Sequence, residues 1–515
     1  MLLVKSYFAS LGAVSLACVL ASCASVHDAT PNACPADQRS SDGQCVCIST
    51  QAPPVDGSCS PVEPKCSVSD CVDDENPCTE PTCLSGADTC TNEPVTDETA
   101  CEDDSLIGVC MQGSCVPPQW ELGKAFQIAE ADEEVSTPLV AVAADGNAIA
   151  LWSQGDQVRG CAFDPMLGWG TPVVVEPAHV AERGIALGMD AAGNAIALYA
   201  RVQQGAIEVV AERYTAETGL WDSFAVLSSP GAVTDDPQLA VTPSGEVVAT
   251  WWQGPDDIAM ARGRSDTMTW APAVLVSPDD GLEKYEPFVS LTGSGEGGLV
   301  YRAAAPGGAE VSGSVWVAAV RTDSVAPPVQ VSDSADWTRS ARIAAGMDAD
   351  LMVVWEEVDN LLYARFESDA WLPAGPLEEA SASVASPEIS IDGDGNYQVA
   401  WLQAEDVRTR RFVASESTWD DTQILLVSGS NGARAPNVAA PPNGEARVTW
   451  AQDQHVRLTR FVEGSGWAPF VKLSPELEPP ALGVKGPQVA VGADGTEVVV
   501  WADGLEIWSW ANRPD

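Results

Sequence analysis

Few residues in this 515-residue chain are equipped for catalysis. Histidine occurs only at His27, His179 and His455. A Ser-His-Asp relay or a histidine-rich metal site needs imidazoles that so sparse a set does not supply. No G-x-S-x-G elbow, phosphate loop or dinucleotide fingerprint occurs. What recurs is acid beside aromatic. Asp256, Asp257, Asp279 and Glu283 stand near Trp252, Tyr285 and Trp337, with more acids at Asp235, Asp236, Glu286, Asp333, Asp336, Glu356, Glu357, Glu378, Glu379, Glu476 and Glu478. Carboxylates accept from hydroxyl and ammonium groups, and aromatic faces take apolar ligand faces or cations. The set suits a glycan, a cationic peptide or a calcium ion. No cofactor is otherwise evident.

The whole chain is acidic, with a formal net charge of −48 and a pI near 4.1. Nucleic acid is excluded as a partner, because its phosphates need Lys and Arg to displace their counterions. Self-repulsion at this charge favours a soluble monomer. Hydrophobic residues make up 45% of the chain, enough for a large core.

These residues are set in a repeat. A glycine followed six positions later by an aromatic recurs at Gly146–Trp152, Gly193–Tyr199, Gly245–Trp251, Gly295–Tyr301, Gly395–Trp401, Gly444–Trp450 and Gly495–Trp501. Ala349 replaces the glycine ahead of Trp355. Successive aromatics are 46 to 54 residues apart, a period of stacked supersecondary units. Each unit carries four short apolar runs bounded by turn residues. First comes a proline-led run such as Pro237-Gln-Leu-Ala-Val, then a tight turn such as Asp394-Gly395, then the Gly-to-aromatic run. The third run ends near an arginine, as at Arg213, Arg264, Arg321, Arg365, Arg411, Arg460 and Arg513. The fourth begins at a tryptophan: Trp169, Trp221, Trp270, Trp371, Trp419 or Trp467.

Four antiparallel strands per unit predict an all-β, eight-bladed β-propeller over 117–515. The last unit lacks its fourth run, and Trp120 to Ile128 is a spare Trp-led run, so the N-terminal strand is expected to close the last blade. The first strand should line the axis and the fourth lie outermost. The loops entering the first strand and leaving the second then share one face, opposite the glycine turns, and the acids and aromatics gather there. Cys161, the odd cysteine of the repeats, reads as a buried thiol.

Residues 1–22 read as a targeting segment, with Lys5 before an apolar stretch. It ends in Leu20-Ala21-Ser22-Cys23, which resembles the lipobox of bacterial lipoproteins. The resemblance implies acylation of Cys23 and a lipid anchor. Ala24 after it implies an outer-membrane destination, at the cell surface or the periplasmic side. After a linker over 23–33, twelve cysteines fall within 34–116: Cys34, Cys45, Cys47, Cys59, Cys66, Cys71, Cys78, Cys83, Cys90, Cys101, Cys110 and Cys115. An even count in an exported, apolar-poor segment reads as a disulfide stalk of undetermined connectivity. Cys71 to Cys83, with Asn76-Pro-Cys78-Thr, resembles the cysteine-rich C-DDG-NPCT repeats of myxobacterial surface proteins, although Glu75 replaces the usual glycine.

The 50-residue units themselves are similar to a broad set of bacterial surface proteins grouped with sialidase-like propellers. Ile507-Trp-Ser-Trp-Ala-Asn-Arg-Pro514 and Gly168-Trp169-Gly170 carry that similarity. It implies fold far more than activity. Sialidases converge three arginines on a carboxylate, whereas the arginines here recur once per unit, and the Ser-x-Asp-x-Gly-x-x-Trp box of that family is missing. Quinoprotein dehydrogenases separate glycine and tryptophan by four positions, not six. The expectation is a surface-anchored, non-catalytic binding or adhesion lipoprotein with an extracellular protein or glycan ligand. The alternative is a carbohydrate-active propeller enzyme, a sialidase-like glycosidase or a lyase.

Overall fold

The computed structural model describes residues 122–513 apart from 178–179, 204, 231–233, 255, 308–312, 333–337, 347–349, 379–382, 427–431, 453–454 and 476–483. It also describes 38–41, 44–47, 78–83, 90–94, 100–103, 106–111 and 114–116. Cys23, His27, His179, Trp120 and Trp337 lie outside the described residues, as do Asp333, Asp336, Glu379, Glu476 and Glu478. The chain divides into two compact units, Met1–Leu106 with Cys110–Cys115, and Ile107–Val109 with Val116–Asp515.

The cysteine-rich unit contains short antiparallel ladders, Gln38–Ser41 with Gln44–Cys47 and Thr79–Cys83 with Cys90–Pro94. Cys83 and Cys90 stand opposite each other in the second. Cys78 is buried and disulfide-bonded. The side chains of the other stalk cysteines lie outside the described set.

The second unit is an eight-bladed propeller. Blade 3 shows the plan: Thr234–Val241, Glu246–Gln253, Asp257–Arg264 and Val274–Leu275, paired in that order from the axis outward. The first strands contact one another around the ring, and those of blades 8 (Val484–Val491) and 1 (Leu139–Val142) complete the circle. Closure takes the expected form. Ala125–Glu130 pairs antiparallel with Glu506–Asn512 as the outermost strand of blade 8, running from Trp510↔Ala125 to Glu506↔Glu130.

The glycine-to-aromatic spacing has a geometric cause. The turn glycines Gly146, Gly193, Gly245, Gly295, Gly395, Gly444 and Gly495 hold φ between 81° and 90°, where other residues are strained. Six residues on, Trp152, Tyr199, Trp251, Tyr301, Trp401, Trp450 and Trp501 are all at most 1% exposed, as is their counterpart Trp355. Each is wedged between neighbouring sheets, as where Trp450 of blade 7 packs on Ala400 of blade 6. Trp152 of blade 1 meets Val498 and Val500 of blade 8, so the core is continuous across the closure. Truncating such a tryptophan costs about 3–5 kcal/mol.

One local feature departs from expectation. The first strands begin two to four residues before the prolines at 237, 287, 387, 436 and 487 rather than at them. The ladder slips at each of these sites. Asp236, Glu286, Ser386 and Ala435 precede their prolines with φ of 46–52°. Proline has no amide to donate, so a bulge is where a strand tolerates it.

Candidate functional site

In blades 3, 5 and 6 the anchor tryptophan also holds the strand exit beyond it. Two residues on, at the open end of the second strand, stand Gln154, Gln253, Glu357, Gln403, Gln452 and Asp503. The indole Nε1 of Trp251 donates to Gln253 at 3.3 Å and that of Trp355 to Glu357 at 2.9 Å. The exit is therefore pinned from inside the blade, and the next turn starts from a rigid point.

The expected ligand face assembles at the open ends of blades 3 and 4, but most of its acids are engaged. Trp252 is half-buried and packs with Leu282 onto a cluster shared by the two blades, its Nε1 enclosed without a partner. Ser277 Oγ donates to Asp257 at 3.3 Å, and Asp256 lies in the turn just before. Tyr285 donates its hydroxyl to Glu283, which also receives the Gly307 amide at 3.4 Å. Asp279 is exposed. Its neighbour Asp280 receives the buried Lys284 ammonium at 2.5 Å, and Lys284 also donates to the carbonyls of Pro278 and Leu282 at 3.0 and 2.8 Å. Burial works to raise the Asp280 carboxyl, but the Lys284 hydrogen bond, the Leu282 amide and the Lys284 charge together outweigh it and hold the group below its ordinary value. Glu286 receives two nitrogens of the buried Arg302, at 3.0 and 3.2 Å. Among the described residues no group of three or more acid, histidine or cysteine side chains is placed to hold a metal ion.

The arginines at the third-strand ends are distributed, not convergent. Arg213 grips Asp222 of its own blade at 3.0 Å and the Asp266 carbonyl of blade 3 at 2.8 Å. Arg321 reaches Asp369 of blade 5 at 2.5 Å. Arg411 bridges Asp392 and Glu463 of blade 7, at 3.0 and 2.7 Å. Arg447 and Arg460 of blade 7 share the fully buried Glu497 of blade 8. These guanidinium groups staple neighbouring blades at the glycine-turn face, in keeping with a structural role.

One tyrosine does sit among acids. Tyr199 OH is 2.7 Å from Glu212 Oε2 and 3.3 Å from Glu176 Oε2, and Arg201 reaches Glu176 at 3.2 Å and Glu208 at 3.3 Å. Burial, then the Glu212 charge, pushes the Tyr199 hydroxyl far up, and burial raises the Glu212 carboxyl. Tyr199 is 1% exposed, sealed between blades 1 and 2, so no substrate reaches it. Cys161 is buried as expected, with Sγ 3.2 Å from the Gly170 carbonyl, and burial pushes its thiol up to about 12. His455 opens a third strand and lies 3.2 Å from the Pro475 carbonyl.

Sequence reasoning missed the rim. Between the outer parts of blades 6 and 7 runs a cleft of about 960 Å³ lined by Gln398, Asp420, Asp421, Trp467 and Phe470. A smaller one of about 400 Å³ lies between blades 3 and 4, walled by Val274, Leu275, Pro327 and Pro328 over Arg262. Both open where an outer strand is short. Gly466–Trp467 and Val471–Lys472 are two-residue strands, as is Val274–Leu275. The missed signal is Trp-x-Pro, in Trp270-Ala-Pro272 and Trp467-Ala-Pro469 and again in Trp371-Leu-Pro373 of blade 5, because proline cannot extend the outer ladder.

No protein family and no curated protein matches the sequence. Solved structures of similar fold include the Dos1 propeller, with 8% identity and a TM-score of 0.47 over 76% of this chain and 94% of that one. A Hadza microbial sialidase, Hz136, aligns at 11% identity and a TM-score of 0.36 over 76% and 93% of the two chains. A prolyl endopeptidase aligns at 13% identity and a TM-score of 0.44 over 73% of this chain. The match spans only 54% of that enzyme's length. At such identities the likeness is one of fold.

Proposed function

We propose that the chain is a lipid-anchored surface protein whose propeller head binds ligand without transforming it. The observation that carries this reading is the dispersal of the charged groups. Arg213, Arg321, Arg411 and Arg460 each reach across to the next blade, Arg264 and Arg365 pair within their own, and Tyr199 is buried. A carboxylate-binding catalytic pocket needs such groups brought together on an accessible surface. A cleft that sets aromatic walls beside convergent polar groups, as between blades 6 and 7, is by contrast the ordinary chemistry of a binding site. The full chain, incubated with soluble polysaccharides and with peptides, is expected to retain ligand and to generate no new reducing ends or unsaturated sugars. New chain ends appearing in proportion to the protein added would sink the non-catalytic reading.

Anchoring is the second part of the proposal, supported by Leu20-Ala21-Ser22-Cys23 and by the cysteine-dense segment beyond it. Several acyl chains on one terminus hold a protein on a membrane, where a single chain is marginal. Cys23→Ser is expected to move the protein from the membrane fraction to the soluble fraction. Equal retention of the variant would remove the anchor from the proposal. The stalk would then be only a disulfide-stapled spacer.

A further inference from the structure

The cleft between blades 6 and 7 contains a polar group that the fold leaves unanswered. Gln398 lies three residues before Trp401, facing blade 7, and is 2% exposed. The same position holds Ile149, Ile196, Val248, Gly298, Met352 and Val498 in six blades. In blade 7 it holds Arg447, whose charge is met by Glu497. The amide of Gln398 can face only one way. Its Nε2 donates to Thr409 Oγ1 and to the Arg410 carbonyl, the latter at 3.1 Å. Thr409 spends its own proton on the Val399 carbonyl at 2.8 Å, so both neighbours are acceptors and the nitrogen must face them. Oε1 therefore points elsewhere, buried and without a donor. Such an acceptor costs about 1–3 kcal/mol, a cost that the aliphatic residues of the sister blades avoid.

We propose that this cleft binds a neutral saccharide, with a sugar hydroxyl donating to Gln398 Oε1 and an apolar sugar face laid against Trp467 and Phe470. The proposal rests on the binding reading above and names its ligand class. The fold supplies this oxygen with no donor, and Gln398 lines the cleft, so a small shift of its side chain brings the oxygen to a hydroxyl held there. A volume of about 960 Å³ has room for more than one sugar ring. Phe470 is 36% exposed, and its ring meets Trp450 edge-on at 5.8 Å, which fixes its plane for stacking. Arg410 lines the cleft together with Asp420 and Asp421, so the lining carries both signs and favours a ligand without net charge. The formal charge of −48 further opposes uronate or sulfate polymers.

The test is calorimetric titration of the full chain with maltohexaose, cellohexaose, xylohexaose, mannohexaose and laminarihexaose, with hexagalacturonate as the charged comparator. At least one neutral hexasaccharide is expected to bind, and hexagalacturonate at least tenfold more weakly. Gln398→Met installs the residue that blade 5 carries at this position. It should keep or raise the melting temperature while weakening saccharide binding at least tenfold. Failure of every neutral hexasaccharide, or equal binding by Gln398→Met, overturns the assignment. Peptide binding that is lost in Gln398→Met, with no saccharide bound, would also overturn it yet leave the binding head standing. A hexasaccharide that binds through Gln398 and is then cleaved would do the reverse.

Discussion

At the scale of single residues, the head is decided by how buried polar groups find partners. Tyr199 has one hydroxyl proton for two carboxylates, Glu212 at 2.7 Å and Glu176 at 3.3 Å. An additional proton on Glu212 lets it donate to the Tyr199 oxygen while Tyr199 donates to Glu176, which satisfies every contact. Burial, aided by the Glu176 charge and opposed by Arg201 and by the Tyr199 bond, already raises the Glu212 carboxyl. A carboxyl raised on folding contributes stability that is full below its unfolded value and is lost as pH rises through the folded value. The head should therefore lose stability at this seam as pH climbs above the ordinary carboxylate range. Glu212→Gln supplies a neutral donor at every pH. It is expected to flatten that part of the pH profile and to stabilise the neutral-pH state by about 1 kcal/mol, the net value of one hydrogen bond. Melting curves of both proteins across that range decide it, and parallel profiles would dismiss the shared-proton account.

At the scale of elements, what was legible was whatever repeats. Eight buried aromatics at near-constant spacing, seven of them behind a glycine turn held at positive φ, specify eight second strands and their facing. The fourth strand could be placed by its tryptophan, and in blades 1, 2, 5, 6 and 7 that ring packs on an aromatic of the third strand, as Trp169 does on Phe163 and Trp467 on Phe461. The first strands were read two to four residues short, because proline is a strong boundary signal in sequence and a bulge keeps the ladder going through it. The site was less legible for a related reason. Acids such as Asp280, Glu283 and Glu286 look free in sequence, and their partners Lys284, Tyr285 and Arg302 lie near enough to pair only once the bulged strand has formed. The unusual residue, Gln398, is conspicuous only against the apolar residues that six other blades carry at its position, a comparison that needs the blade register first.

At the scale of the whole molecule, a ring of sheets must be held shut somewhere, and here the two ends of the repeat region do it. Residues 125–130 come from one end and 506–512 from the other, and they pair along their length. The closure is extended by Gly123 N donating to Ala511 O at 2.7 Å and Ala131 N to Leu505 O at 2.8 Å. Phe126 and Ile128 pack into the cluster that joins blades 8 and 1, so removing the strand strips apolar cover as well as hydrogen bonds. The exposed edge of Glu506–Asn512 would then be a template for pairing with another chain. Two truncations of the full chain separate this from a general effect of shortening: one beginning at Pro118, which keeps the strand, and one beginning at Ala131, which removes it. The first is expected to melt with the parent, because the ring's own strands remain complete. The second should melt at least 10 °C lower and aggregate as concentration rises. Equal melting temperatures for the two truncations, at equal solubility, would mean that inter-blade packing alone closes the ring and that the strand from the N-terminal side is dispensable.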